Sequence, residues 1–351
     1  MAIINTIRQD ADALIIIDCD CDGYTSAALL INYLYELFPS WVVNHLKWYM
    51  HDSKQHGLSD CINFVLACNP ILVICPDSSS NDYGYHKILM NRNIRVLILD
   101  HHLADHISED AIIINNQLSD YPNKELSGVG IVWQFCKYID NILNINYADN
   151  FLDLVALGNC GDMMSLRSFE TRYLITKGFK KENIKNPFID YMLDKNSFPL
   201  SKADYISSDS SMSCTSIGAA FFIVPFVNAI TRSGTLEEKY LLFNSMLNHK
   251  AFEEVFSNKR GHKLGEKEKL ILQAVRTVTN VKNRQTRAED AGLAMLEKMI
   301  ETNHMLNHRI LLFLLEPGQI DPEIRGLIAN KFMAKYQRPC CLLTKTNRNE
   351  K

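Results

Sequence analysis

The residues best able to do chemistry in this 351-residue chain are acids and imidazoles that stand just after short apolar runs. Asp18, Asp20 and Asp22 alternate with Cys19 and Cys21 directly after Ala13–Ile17, and Gly23 closes the segment. Asp77 follows Ile71–Cys75 through Pro76, and Asp100, His101 and His102 follow Ile94–Leu99. A further acid, Asp162, ends the stretch Gly158-Asn159-Cys160-Gly161-Asp162. If residues 18–22 stay extended, their three carboxylates point to one side and the two thiols to the other. Carboxylates packed so closely repel one another unless cations lie between them. Carboxylate with imidazole, and no thiolate cluster, suits Mn²⁺ or Mg²⁺ better than zinc. Two such ions ~3.5–4 Å apart can activate water and neutralise the oxygens of a phosphoryl group. Asp-Gly is also a common turn dipeptide, but turn chemistry does not explain four such segments together.

The elements that must bring these residues together are legible in the apolar pattern. Ala13–Ile17, Val42–Tyr49, Ile71–Cys75, Ile94–Leu99 and Ala111–Ile114 read as strands. Tyr24–Leu37, Tyr85–Asn91, Gly128–Ile142, Tyr147–Leu157 and Phe169–Phe179 read as helices. Near-continuously apolar strands alternating with helices predict an α/β fold, a parallel sheet with helices on both faces. In such sheets the binding crevice lies beyond the carboxyl ends of the strands, where these acids stand. Residues 181–215, rich in Asn, Ser and Lys, read as a connecting region, and 236–303 as largely helical. Arg309–Leu315, Glu323–Lys335 and Cys340–Leu343 then predict a smaller strand–helix–strand unit. The expected domains are 1–180, a mainly helical connector at 181–304, and a second α/β domain from 305 to 351.

Thirty-seven basic and 40 acidic side chains leave a net charge of −3. The balance hides a segregation: residues 1–175 hold 10 basic and 21 acidic groups, and 176–351 hold 27 and 19. An acidic half suits cations and a basic half suits a polyanion. The basic segments 177–185 and 259–269 fit a groove that tracks a nucleic-acid backbone without reading sequence. Ten cysteines without a CxxC, mostly inside apolar runs, read as reduced thiols of an intracellular, cytoplasmic protein rather than as a zinc site. Neither a secretory leader nor a membrane span is expected: the longest apolar stretch, Ile217–Ile230, is interrupted by Pro225 and Asn228.

In combination these motifs resemble the DHH phosphoesterase superfamily, and within it the RecJ-like single-strand-specific exonucleases. DCDCDGYTSA (18–27) resembles the first family motif, the Asp77 segment the second, Asp100-His101-His102 the third and LVALGNCGDMMSL (154–166) the fourth. HDSKQHGLS (51–59), SGVGIVWQF (127–135) and SIGAAFFIVPFVNAITRSG (216–234) resemble further RecJ segments. IRGLIANKFMAKYQRPCCLL (324–343) resembles the start of a DHH-associated substrate-binding domain. No glycine follows Gly326 in this sequence, so the glycine-rich substrate loop usual in that domain is not among these residues.

The resemblance implies that Asp20, Asp22, Asp77, His101 and Asp162 hold two Mn²⁺ or Mg²⁺ ions, with Asp18 as a further ligand or just behind them. It implies that His102 faces the scissile phosphate and that Asp100 orients the imidazoles. Asn228, Arg232 and His56 would contact substrate. Tyr24, Trp48 and Tyr49 lie where they could stack on a base, while His51 and His106 read as structural. The implied activity is 5′→3′ hydrolysis of single-stranded DNA to nucleoside monophosphates. A single-strand-binding protein or a helicase are the implied partners. Two other readings stand beside it: a phosphodiesterase for short oligonucleotides or cyclic dinucleotides, and a non-catalytic DNA-binding replication scaffold.

Overall fold

A computed structural model describes residues 2–52, 55–202 and 211–345. Ser53 and Lys54 of the 51–59 motif, part of the connector and the last six residues lie outside the described residues. Five strands form one sheet: β1 (Ala13–Ile17), β2 (Leu46–Met50), β3 (Leu72–Pro76), β4 (Arg95–Asp100) and β5 (Ile112–Asn115). Their order is β2-β1-β3-β4-β5 and every pair is parallel. Strands β1 and β3 are buried along their whole length, which is why they read as unbroken aliphatic runs and not as alternating ones.

The helices α1 (Ala2–Arg8), α2 (Cys21–Leu37), α3 (Pro39–His45), α4 (Ile62–Cys68), α5 (Tyr83–Met90) and α6 (Gly128–Leu143) interleave with these strands. They are followed by α7 (Leu152–Gly161), α8 (Phe169–Gly178), α9 (Pro187–Lys195), α10 (Ser197–Lys202), α11 (Ser216–Phe222), α12 (Val224–Ser233) and α13 (Leu236–Met246). On one face of the sheet Leu14, Ile16, Val73, Cys75, Val96 and Ile98 pack with Val65 of α4 and Leu89 of α5. The chain leaves β1 for β2, then returns across β1 to build β3 on its other side. The winding therefore reverses between β1 and β3, and a crevice opens past their carboxyl ends. That is where Asp18–Asp22 and Asp77 emerge.

Two local expectations are corrected. The Val42–Tyr49 run is not all strand: Pro39 sits at the first position of α3, where its fixed φ and missing N–H fit a helix start, and β2 begins only at Leu46. The region 236–303 is not continuously helical: between α13 and the 33-residue α14 (Leu270–Thr302), β6 (Glu254–Phe256) and β7 (Lys267–Lys269) pair as an antiparallel hairpin. The tip of that hairpin turns through Gly261 and Gly265, at φ +80° and +82°. Ser216–Ser233 has the length and apolarity of a membrane-spanning segment. It is nevertheless broken at Ile223 into α11 and α12, and α12 buries Val227, Ala229 and Ile230 inside the protein.

The described residues pack as two units, one up to Val278 and one from Thr279. In the second, β8 (Leu311–Leu315) and β9 (Cys340–Thr344) pair in parallel. Phe313, Ile328 and Phe332 of that unit pack there with Leu296 and Ile300 of α14, with α15 (Pro322–Tyr336) supplying Ile328 and Phe332. The expected boundary at 304/305 lies just ahead of β8.

The central strands carry the stability of the first unit. Ile98 of β4 is fully buried between its cross-strand neighbours Cys75 and Ile113. Ile98→Ala is expected to cost about 2–5 kcal/mol in urea unfolding, because the cavity left in a sheet core collapses poorly; a loss below about 1 kcal/mol would show that the site repacks freely.

Candidate metal centre

The first acids are placed by the exit from β1. The backbone stays extended to Asp20 (φ −149°, ψ −171°), whose side chain accepts from the Gly23 amide at 3.0 Å and caps α2. Helix α2 starts at Cys21, so Asp22 reaches the crevice from a first helical turn. This corrects the expected extended 18–22 segment. The thiols do turn away: Cys19 Sγ donates to the Thr231 carbonyl on α12 at 3.0 Å. Thr25 Oγ1 donates inside α2 to the carbonyls of Cys21 and Asp22.

Asp22 is tied by three hydrogen bonds. It accepts from Ser127 Oγ at 2.8 Å and from the amides of Gly128 at 2.6 Å and Val129 at 3.2 Å. Those amides are the unsatisfied N-terminus of α6, which favours an anion. A side chain at position 128 would put its Cβ 2.3 Å from Asp77 Oδ1, so only glycine lets α6 approach both acids.

Asp77 holds φ +66°, uncommon for a non-glycine residue and a strained conformation of the kind that persists where its surroundings enforce it. Its amide donates to the Leu99 carbonyl, the residue is 1% exposed, and Oδ1 has no hydrogen-bond partner. That oxygen lies 3.3 Å from His101 Nε2. The same imidazole nitrogen is 3.5 Å from Asp162 Oδ2 and 3.8 Å from Asp22 Oδ2. One buried imidazole nitrogen therefore faces carboxylates from three separate segments.

Next to it, Asp100 Oδ1 accepts from the amides of His101 and His102 and from His102 Nδ1 at 2.8 Å, and Oδ2 from the Ser80 amide. His102 is thereby fixed through Nδ1, and its ring is about half exposed. His56 Nδ1 pairs with Asp18 Oδ1 at 2.8 Å, and the rings of His56 and His102 meet edge to face at 5.3 Å.

Among the described residues, three sets of side chains bring ligand atoms within 4.8 Å of one another: Asp77, His101 and His102; Asp22, His101 and Asp162; and Asp18, Asp20 and Asp77. The sets share Asp77 and His101, so they form one continuous centre. Burial, then Asp22 and Asp20, push the Asp77 carboxyl well above the usual carboxylate range. Burial, then Asp18 and Asp22, push Asp20 up to about 7, and burial and Asp22 raise Asp162. The orphaned Asp77 oxygen and the oxygen-rich, imidazole-containing donor set fit hard divalent cations. The hydrogen bond to Asp100 raises His102 to about 9. Burial works to raise Asp100, but hydrogen bonding and charge from His102, with Ser80, hold it well below the ordinary carboxylate value.

Of the residues singled out in the sequence, Asp18, Asp20, Asp22, Asp77, Asp100, His101, His102, Asp162 and His56 converge. Asn228 and Arg232 lie on α12, whose Thr231 carbonyl receives Cys19, and among the described residues neither bonds to the acids. Tyr24 cannot stack on a base: it is 1% exposed and packs edge-on against Phe243. Trp48 is taken up between Phe243 and Lys250, and His51 is buried beside Tyr49. Lys239 of α13 escaped the sequence reading. Fully buried, it donates to the carbonyls of His51 at 3.1 Å and Asp52 at 2.8 Å and lies 3.8 Å from Cys19 Sγ, pinning the start of the loop that carries His56. Its signal was a lysine one helical turn before Leu242 and Phe243, on the buried side of α13.

Residues 12–159 match the model of the DHH family, N-terminal domain. This segment belongs to the DHH family. Over 97% of its length the chain is 34% identical to YorK, an SPbeta prophage-derived protein of Bacillus subtilis (strain 168) assigned as a single-strand DNA-specific exonuclease, and it spans 57% of that protein. It is 28% identical over 193 residues to the single-stranded-DNA-specific exonuclease RecJ of Escherichia coli (strain K12), covering 50% of this chain and 33% of that one. The fold is that of RecJ: a manganese-bound exonuclease RecJ superposes with a TM-score of 0.69 over 96% of this chain and 76% of its own, at 17% identity. The Mn²⁺ complex of RecJ from Thermus thermophilus gives 0.71 over 97% and 44%, at 16% identity.

The Asp100–His102 pair sets a pH window. His102, raised in the folded state, adds stability that is whole below pH ~6.5 and lost as pH rises through about 9. Asp100, depressed, adds stability that is present above pH ~3.9 and lost as pH falls through its lowered value. In chelator, Asp100→Asn is expected to bring the NMR-titrated His102 pKa down by more than one unit and to destabilise most between pH ~4 and 6.5. An unmoved His102 titration contradicts the pairing.

Proposed function

We propose that this DHH-family chain is a hydrolase of phosphodiester bonds that degrades single-stranded DNA from an end, 5′→3′, to nucleoside monophosphates, with a pair of Mn²⁺ or Mg²⁺ ions. The reading is supported above all by the four segments that meet around His101 Nε2 and Asp77 Oδ1. Asp20, Asp22, Asp77, His101 and Asp162 would hold the cations, with Asp18 beside Asp20. When bound, such a pair supplies a polarised water and neutralises the oxygens of the phosphoryl group.

The remaining work falls to groups of the chain itself. His102, fixed through Nδ1 by Asp100 and charged up to pH about 9, presents its other nitrogen as a cationic donor to a non-bridging phosphate oxygen. Charge that builds on that oxygen during displacement strengthens this bond, so His102 favours the transition state over the ground state. His56, whose pKa is raised by its hydrogen bond to Asp18, offers a second imidazole at the mouth of the centre. Asn228 and Arg232, on the helix tied to Cys19, are the candidates for the flanking phosphates. The α6 amides restrain Asp22, so the centre is held before substrate arrives.

With Mn²⁺, a 5′-labelled single strand is expected to yield labelled mononucleotide from the first time points. Asp77→Ala or His101→Ala should lower the rate by roughly 10²-fold or more. Full activity in either variant sinks the assignment, and faster turnover of a dinucleotide than of a long strand under the same conditions replaces it with a short-oligonucleotide phosphodiesterase.

A further inference from the structure

The basic stretch 259–269, left aside by the chemistry above, belongs to the β6–β7 hairpin, and the hairpin has two unlike sides. One side is anchored. Glu268 receives a two-pronged ion pair from Arg276 of α14, Arg276 also donates to Asn258, and Gln273 Nε2 donates to the Phe256 carbonyl. The Leu270 and Ile271 amides close the base onto the carbonyls of Glu253 and Ala251. The other side faces solvent and carries phenyl rings alternating with lysines. Lys269 Nζ lies 5.4 Å from the centre of the Phe252 ring, and Lys267 Nζ 6.0 Å from that of Phe256. The two rings are 48% and 72% exposed.

Beyond the rings the tip holds Lys259, Arg260, His262 and Lys263 with no acid from Ser257 to Gly265. Two successive turns, His262 amide to Lys259 carbonyl and Glu266 amide to Lys263 carbonyl, give the tip a defined shape. Glu266 and Glu268 are used within the hairpin and its anchor, Glu266 on the Lys263 amide, and Glu254 lies 3.9 Å from Lys267. Lys259, Arg260 and Lys263 have no ion pair among the described residues.

A surface made only for solvation needs charge but not exposed phenyl rings, which cost free energy in water. Rings interleaved with cations are what a single strand requires: bases stack on the rings and phosphates meet the ammonium and guanidinium groups. We propose that this hairpin is a second binding site for single-stranded nucleic acid, with bases stacked on Phe252 and Phe256 and the backbone held by Lys267, Lys269 and the tip cations. The contact is independent of sequence and sensitive to salt. It rests on the proposed function only in taking the same polymer as ligand.

The test is fluorescence anisotropy of a labelled oligothymidine of about 20 nucleotides, a length that exceeds one such site, with the full chain in EDTA so that nothing is cut. Phe252→Ala with Phe256→Ala is expected to weaken binding about tenfold or more while leaving affinity for duplex DNA unchanged, since paired bases cannot stack on the rings. Lys259→Ala, Arg260→Ala and Lys263→Ala together should lower the slope of log Kd against log salt by about 2, three phosphates at ~0.7 each. Far-UV circular dichroism and thermal melting check that each variant is folded. Unchanged affinity and slope in folded variants overturn the proposal, as does an equal loss on duplex, or polyglutamate that binds the hairpin more tightly than the oligonucleotide does. A wild-type chain that binds in EDTA yet leaves the strand intact with Mn²⁺ overturns the exonuclease reading and leaves this one standing.

Discussion

Burying Asp22 and Asp77 at 1% exposure beside Asp18, Asp20 and Asp162 is unfavourable twice over, through lost hydration and through mutual repulsion. Part of that penalty is offset inside the protein: three donors at the start of α6 hold Asp22, the Gly23 amide holds Asp20, and His56 pairs with Asp18. Asp77 has less help, only His101 Nε2 at 3.3 Å. Its Oδ1 is orphaned, its backbone is held at positive φ, and its carboxyl is driven toward the neutral form. A divalent cation would remove both penalties at once.

The fold exists in the form needed to impose that arrangement. Parallel strands deliver their carboxyl ends to a single edge, and the reversal of winding between β1 and β3 opens that edge where the first two acid segments emerge. Strand β4 adds the histidine pair, while α6 and α7 close over the top with the amides that take Asp22 and with Asp162 at the end of α7. The packing behind is correspondingly rigid. Cys19 and Lys239 link the loops at the crevice to α12 and α13, so the segment that carries Asn228 and Arg232 is joined to the first acid motif through hydrogen bonds to backbone carbonyls.

Much of this was legible in the amino-acid sequence because it is written in local terms. An aliphatic run that ends in acids, such as Ala13–Ile17 before Asp18 or Ile94–Leu99 before Asp100, marks both a buried parallel strand and the functional edge beyond it. What was not legible depends on tertiary context. The start of α2 at Cys21 follows from capping by Asp20, and the helical turn at Val42 and Val43 from Pro39, each against the β preference of neighbouring residues. The β6–β7 hairpin hides in a charged stretch whose strands are three residues each and whose register is fixed by Arg276 on the next helix. Lys239 shows the same limit: only the neighbouring loop reveals that a lysine in an apolar helix face has carbonyls to bind. Burial of Tyr24 against Phe243, contributed from far along the chain, likewise overrides its position beside the motif.

The central claim, that this acid-rich centre is built around two divalent cations, is tested most directly by anomalous X-ray scattering at the manganese edge from crystals grown with Mn²⁺. Two peaks ~3.5–4 Å apart, enclosed by Asp20, Asp22, Asp77, His101 and Asp162, are the predicted result. A map with no peak among these side chains, or with manganese bound only elsewhere on the chain, contradicts it.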